Sequence, residues 1–328
     1  MDITINKELL KAEDLFRSGN YINAKKILET FLRQNKQSVE LFNLLGLINI
    51  KQNLRDEAND HFKKGLSIDP ENISLLKNLS LNLKSQKKFI EANKYLKTLY
   101  RLSNESETIV AELTDNLLLL NKKNEAYEFI KNSLNKNNNS ELLNITMANT
   151  LFHIGKEKKS INFFKKTLAI NQFNFQALFT LSYLKIKSED YKKAIFYLEK
   201  IIINKEKYEP YKGKFSIIYY NLGYAYNKLK KIKEAEKYYL LSLDLNPNEL
   251  SALVDLSNIY LENNYLDKAI DFINKAVDLY PDNRNLYNNL SQIYSQMGNH
   301  PKAVYYRRLG SGVIVFKSKN EYGLFELS

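Results

Sequence analysis

The residues that could do chemistry in this 328-residue chain are few and scattered. Cys is absent, which removes thiolate nucleophiles, thiolate metal sites and disulfides together. Three His remain, His61, His153 and His300, and no pair has the i, i+4 spacing that would present two imidazoles to a metal on one helix face. Structural roles are expected for all three. Carboxylates fall at solvated helical positions, as Glu234 and Glu236 do beside Lys233 and Lys237. The sequence gives no indication of the burial or close pairing that would separate two pKa values for acid–base work. Gly310-Ser311-Gly312 sets a serine between glycines without the five-residue nucleophile elbow or a His partner. No Gly-rich phosphate loop, HExxH or calcium-loop spacing occurs. The expectation is a noncatalytic chain with no cofactor and no metal. One stretch does stand out: residues 200–240 hold ten Lys, four Glu and no Asp or Arg, interleaved with Tyr208, Tyr211, Tyr219, Tyr220, Tyr224 and Tyr226. Such a mixture could stack on bases beside a basic track, or could be core aromatics beside solvated lysines.

Positioning any such residues is the task of the fold, and composition limits which folds are open. A hydrophobic content of 44% and a charged content of 26% match a globular protein with a real core. Ten Gly and five Pro are few for this length, which argues against a turn-rich all-β fold and favours helices. No apolar stretch approaches the roughly 18 residues of a membrane helix. The opening MDITINKELLKAEDLF has no apolar run of leader length. With no Cys, a cytoplasmic setting is expected. The excess of 49 Lys and Arg over 37 Asp and Glu gives +12, which would attract acidic partners at long range. The 41 Asn show that compositional bias alone could produce such a Lys-rich chain.

One period organises the sequence. Ala24, Ala58, Ala92, Ala126, Ser160 and Ala194 are 34 residues apart, and Ala235, Ala269 and Ala303 resume that interval after one step of 41. Twelve residues before each lies another small residue: Ala12, Gly46, Ser80, Thr114, Ala148, Ser182, Gly223, Ser257 and Ser291. A bulky apolar residue precedes eight of these, Lys11 being the exception. Tiny side chains let two helix backbones approach while bulky neighbours fill the adjoining space. Within a repeat the apolar spacing is helical, as in Leu253, Leu256, Ile259 and Tyr260, then Ala269, Phe272, Ile273 and Ala276. Ser18-Gly19-Asn20, Asn263-Asn264 and Gly298-Asn299 supply turns inside repeats; Pro70, Pro247 and Pro281 end them. Each repeat is predicted to be two helices.

These repeats resemble tetratricopeptide repeats. The family pattern is followed by Tyr219, Leu222-Gly223, Tyr226, Ala235, Tyr238-Tyr239 and Pro247, and by Phe42, Leu45-Gly46, Ala58, Phe62 and Pro70. Nine repeats cover 5–317: 5–38, 39–72, 73–106, 107–140, 141–174, 175–208, 216–249, 250–283 and 284–317. Departures include Ser160 for Ala, six repeats without Pro, and Arg307 with Gly310 in the last. The resemblance implies an all-α, right-handed superhelical solenoid whose first helices line an inner groove. Counting the bulky first-helix residue as position four, positions five, six and nine should face that groove. They include Phe179 and Tyr183; Tyr220, Asn221 and Tyr224; Val254, Asp255 and Asn258; and Asn288, Asn289 and Gln292. An Asn amide both donates and accepts, which suits the backbone of an extended peptide, and aromatic neighbours add contact area. Asn78, Asn221 and Asn289 also resemble the asparagine ladder of O-linked N-acetylglucosamine transferases, with Asp255 replacing one member and Glu112, Thr146 and Thr180 not matching.

The single break in period, NKEKYEPYKGKF at 204–215, is expected to protrude, with Pro210 and Gly213 opposing a continuous helix. Beyond the last helix, SGVIVFKSKNEYGLFELS at 311–328 reads as a small β-hairpin-like cap. The expected function is a protein-interaction scaffold that binds a peptide or protein segment, of acidic character, in the groove. An accessory substrate-recognition subunit of a glycosyltransferase- or sulfotransferase-type enzyme is the alternative implied by similar arrays, and RNA binding is the weaker one. The oligomeric state is not legible from the sequence.

Overall fold

A computed structural model of the chain describes residues 3–34 and 36–312. Among these, eighteen α-helices follow one another and no strand occurs. The chain divides into two compact units, Met1–Gln172 and Phe173–Ser328.

The N-terminal unit contains α1 (Ile3–Arg17), α2 (Tyr21–Arg33), α3 (Val39–Lys51), α4 (Arg55–Ile68), α5 (Ile73–Ser85), α6 (Phe89–Leu102), α7 (Glu107–Leu119), α8 (Lys123–Lys136), α9 (Glu141–His153) and α10 (Glu157–Ile170). The C-terminal unit contains α11 (Phe175–Lys187), α12 (Tyr191–Ile203), α13 (Phe215–Lys228), α14 (Ile232–Leu245), α15 (Leu250–Glu262), α16 (Leu266–Leu279), α17 (Arg284–Gln296) and α18 (His300–Ser311). Each odd helix packs on the even helix that follows it, so both units are solenoid stacks of helical hairpins.

The local causes recur at the 34-residue interval. Several first helices are capped by a side chain that accepts from the backbone N–H three residues on, as Ser38, Asn72, Ser140 and Asn174 do. Between the helices of every hairpin one residue takes a left-handed backbone: Gly19, Asn53, Lys87, Asn121, Gly155, Glu189, Lys230, Asn264 and Gly298. Six of these are Gly or Asn, the residues that tolerate this region best, and at Lys87, Glu189 and Lys230 the hairpin imposes it on a side chain that does not favour it. The two sets of small residues are the buried seam. Ala24, Ala58, Ala92, Ala126, Ala194, Ala235 and Ala269 have no exposed surface. Opposite them, Ser257 Oγ donates to the Ala269 carbonyl at 2.9 Å and Ser291 Oγ to the Ala303 carbonyl at 2.7 Å, so these two hydroxyls bind the facing helix directly, whereas Ser80, Thr114 and Ser182 at the same register donate to carbonyls of their own helices.

The 204–215 insertion folds back onto its unit, where the sequence suggested a protruding segment. It forms a 3₁₀ stretch, Lys205–Lys214, broken at Tyr208. Tyr208 is buried, and its hydroxyl donates to the Phe173 carbonyl at 2.7 Å. The Lys207 ammonium lies 3.8 Å from the Phe173 ring centroid. Aromatic and cationic residues thus anchor a segment whose Pro210 and Gly213 deny it a regular helix. The hairpin-like cap expected at 311–328 lies, from 313 onward, outside the described residues.

Candidate functional site

The best-defined polar cluster of the C-terminal unit joins three helices. Asp255 on α15 accepts from the Tyr220 hydroxyl of α13 at 3.2 Å and from the Tyr239 hydroxyl of α14 at 3.0 Å, both on Oδ2. Tyr239 is fully buried, its ring 5.6 Å from that of Tyr220. It fits because Gly223 on α13 leaves the space a β-carbon would fill, 2.6 Å from Tyr239 Cδ1. Tyr224, one turn along α13, has its ring centroid 6.4 Å from Tyr220 and 6.3 Å from Tyr191 of α12. The Lys228 ammonium lies 5.2 Å from the Tyr224 centroid.

Asp255 is half-buried and has no ion-pair partner among the described residues. Burial holds its carboxyl above the ordinary value, and the hydrogen bonds from Tyr239 and Tyr220 and the charge of Lys228 oppose that shift only in part. Burial and then the Asp255 charge push both phenols upward, so each remains a donor at any working pH. A carboxyl raised in the folded state favours folding when protonated, and its ionisation at neutral pH opposes folding. Asp255→Asn keeps an oxygen that can accept from both phenols and removes the ionisation. Its thermal midpoint at pH 7 is expected to rise by roughly 2–4 °C, the shift that ~1 kcal/mol produces in a domain of this size. The gain should fade as pH falls below the ordinary Asp range, where the wild-type carboxyl is protonated in both states. Thermal melts from pH 3 to 8 check this; a drop in midpoint at pH 7 would contradict it.

A second aromatic group sits on α11. Phe175 stacks on Phe179 at 5.8 Å and 8°, and Tyr211 of the insertion stacks on Phe175 at 4.0 Å and 11°. Phe179 is half-buried, whereas Tyr183 and Tyr211 are exposed. On α15 and α17, Asn258 and Asn289 are half-buried and Gln292 is exposed. Asn221 is half-buried on α13. Asn288 turns toward α18: a β-carbon on Gly310 would meet its Oδ1 at 2.1 Å. The departure from the repeat pattern at Gly310 therefore makes room for Asn288. Of the groove residues expected from sequence, Tyr220, Tyr224 and Asp255 form one cluster, Phe179 belongs to another, and the amides of α15 and α17 stand apart as single side chains. Sequence reasoning did not single out Tyr191, Lys228 or Phe175, and it placed Tyr211 in the Lys/Tyr stretch as a ring that could stack on bases. Tyr239 was visible only as a bulky repeat residue, and no spacing rule tells a Tyr needed for its hydroxyl from one needed for its ring.

In the N-terminal unit several of the corresponding polar groups satisfy one another, although His61 Nδ1, Asn116 Oδ1 and Asn144 Oδ1 are buried without a partner among the described residues. Asn78 Nδ2 donates to Asn43 Oδ1 at 2.8 Å, and Lys84 Nζ bonds Glu112 and Asp115 at 2.6 and 2.8 Å. Asn82 Nδ2 donates to the Arg55 carbonyl at 2.7 Å and to Asn59 Oδ1 at 2.8 Å. His61 stacks on Phe42 at 6.2 Å, and burial pushes its imidazole downward. His153 and His300 are exposed. No group of three or more His, Asp or Glu among the described residues could hold a metal, and no helix there is long and apolar enough to cross a membrane.

Comparison with known proteins agrees with this architecture. Tetratricopeptide repeat models match residues 9–73, 175–202, 216–249 and 250–283. BBSome complex member BBS4 of Bos taurus is 37% identical over 86 residues, 26% of this chain and 16% of that protein. The Mus musculus protein of the same name is 37% identical over 79 residues, 24% of this chain and 15% of that protein. Each match thus spans less than one fifth of the relative. Among solved structures, the C-terminal part of a TPR repeat-containing protein from Cytophaga hutchinsonii has a TM-score of 0.57 at 16% identity, covering 71% of this chain and 93% of that one. The APC/C hetero-tetramer Cut9-Hcn1 has a TM-score of 0.55 at 16% identity, covering 87% and 55%. At such identities the likeness concerns the fold.

Proposed function

Since this chain is a tetratricopeptide-repeat protein, we propose that it is a noncatalytic scaffold whose first-helix face in the C-terminal unit binds a segment of another protein in a cytoplasmic setting. The observation that carries this reading is the contrast between the two units. In the N-terminal unit, Asn43, Asn78, Lys84 and Glu112 are bonded to protein partners. In the C-terminal unit, where Tyr220 bonds Asp255, the comparable face is aromatic and amide-lined instead: Tyr220, Asn221, Tyr224, Asn258 and Asn289 are half-buried and Gln292 is exposed. Aromatic rings next to amides give contact area and backbone hydrogen bonding at once, a combination suited to an extended or helical segment. The bovine and murine relatives are named as members of a protein complex, and Cut9 is part of a hetero-tetramer, which is in keeping with a role exerted through partner proteins. The acidic partner suggested by the +12 charge would be drawn by the surface as a whole, since the face itself is aromatic and amide-lined.

Affinity capture with mass spectrometry would name the partner, and its binding segment would then be titrated against the Tyr220→Ala, Asn221→Ala, Tyr224→Ala, Asn289→Ala variant. A loss of at least about tenfold in affinity is expected, since two aromatic anchors are removed, with far-ultraviolet circular dichroism unchanged. Unaltered affinity would show that the segment binds elsewhere.

A further inference from the structure

We propose that the Asp255 carboxylate and the neighbouring faces of Tyr220, Tyr224 and Tyr191 form a receptor for one cationic side chain, an arginine or lysine, of the bound segment. This rests on the binding face proposed above and names the chemistry it selects.

Both phenols bond to Oδ2, which leaves Oδ1 without a hydrogen-bond partner among the described residues. The group is half-buried, so it has lost part of its hydration without gaining a contact cation. A carboxylate in that state gains more from an incoming cation than a solvated one does, because the lower local dielectric strengthens the pair and the cost of burial has already been met. Two neutral phenols steady Asp255 without neutralising it. They orient the group and leave its charge for a ligand.

The rings supply the second half. Tyr191, Tyr224 and Tyr220 follow one another at 6.3 and 6.4 Å between centroids, a row of rings whose last member, Tyr220, donates to the carboxylate. Ring faces attract ammonium and guanidinium groups, and a guanidinium can lie on a ring while its edge forks to a carboxylate. The chain itself demonstrates the first of these: the Lys228 ammonium stands 5.2 Å from the Tyr224 centroid. It makes no ion pair with Asp255, although its charge is felt there. Lys228 sits on a flexible four-carbon stem at the exposed end of α13 and can move aside. It is thus an internal occupant of the ring face and a competitor for the incoming cation. In a chain with twelve excess positive charges, a half-buried carboxylate with one oxygen left unpartnered is suited to recognise a positive group.

The test uses the full chain with tyrosine rings selectively labelled for nuclear magnetic resonance, the Tyr191, Tyr220 and Tyr224 signals being assigned by Phe substitution. N-acetyl-arginine amide is the probe, and N-acetyl-citrulline amide, which has the same shape without the charge, is the control. Saturable shifts of those three signals with arginine amide and none with citrulline amide are expected. Asp255→Asn should weaken the response by about tenfold, and Lys228→Ala, which removes the competing cation, should strengthen it about two- to threefold. A structural role for either residue would not move affinity in these opposite directions. Equal responses to both amides, or an arginine response unchanged in Asp255→Asn, would overturn the proposal. If the partner segment loses affinity for the fourfold alanine variant yet binds Asp255→Asn as it binds the wild type, the cation receptor fails while the binding face stands. If the segment also binds the fourfold variant as it binds the wild type, the face itself is wrong.

Discussion

Gly46→Ala is expected to destabilise the N-terminal unit by about 3 kcal/mol, although alanine is the better helix former. Gly46 lies in α3, where intrinsic propensity alone would make the substitution favourable by about 1 kcal/mol. Packing reverses the sign. A β-carbon at this position would stand 2.2 Å from Phe62 Cε1 and 2.6 Å from Cδ1 and Cζ. Phe62 has no exposed surface, so its ring cannot move aside without displacing its neighbours. The seam between α3 and α4 must open. Gly213→Ala is the control, because no atom lies within 4 Å of its would-be β-carbon. Denaturant titration followed by circular dichroism, with hydrogen exchange to locate the loss, checks the claim. Faster exchange should begin in α3 and α4, since in a stack each hairpin leans only on its neighbours. A Gly46→Ala protein as stable as Gly213→Ala would refute the close approach.

Tyr239→Ala is expected to cost the C-terminal unit about 3–5 kcal/mol, the loss usual for removing a fully buried ring. The hydroxyl alone accounts for about 1–2 kcal/mol of this, read from Tyr239→Phe, because Asp255 would lose one of its two donors while remaining half-buried. The remainder is ring volume. Gly223 faces that ring, so Gly223→Ala should damage the wild type but restore part of the stability of Tyr239→Ala by filling the void. Additive costs in the double variant would show that the two residues do not share the space. Tyr239→Phe should also push the Asp255 carboxyl further above its ordinary value, since one of the groups lowering it is gone. Asp255 titration followed by nuclear magnetic resonance reads this directly.

These two substitutions and the Asp255→Asn melt act on one construction principle from different sides. Glycine at the register where helices meet lets an aromatic ring of the second helix reach beneath the first. In the C-terminal unit that ring carries a hydroxyl, and the hydroxyl reaches a carboxylate on the next hairpin. A repeat feature read as pure packing thus also supports the polar cluster.

What the amino-acid order determined by itself was the hairpin and its period. Small residues every 34 positions, bulky neighbours and turn residues between them act over one or two helical turns, so Ala24, Gly46 and Asn264 announce their roles without knowledge of distant contacts. The repeat register also singled out Tyr220, Tyr224 and Asp255, because a shared register places equivalent residues on equivalent faces. Only the tertiary structure decided which of them meet. Tyr239 joins the cluster because of a hydroxyl whose partner lies 16 residues away on another helix. Tyr211 stacks on Phe175 across 36 residues because the insertion folds back. Asn288, equivalent by register to Tyr220, turns instead to the gap beside Gly310. Periodicity assigns a face, but the partner a side chain finds on that face depends on the volumes and charges that neighbouring hairpins bring to it, and these differ from one repeat to the next.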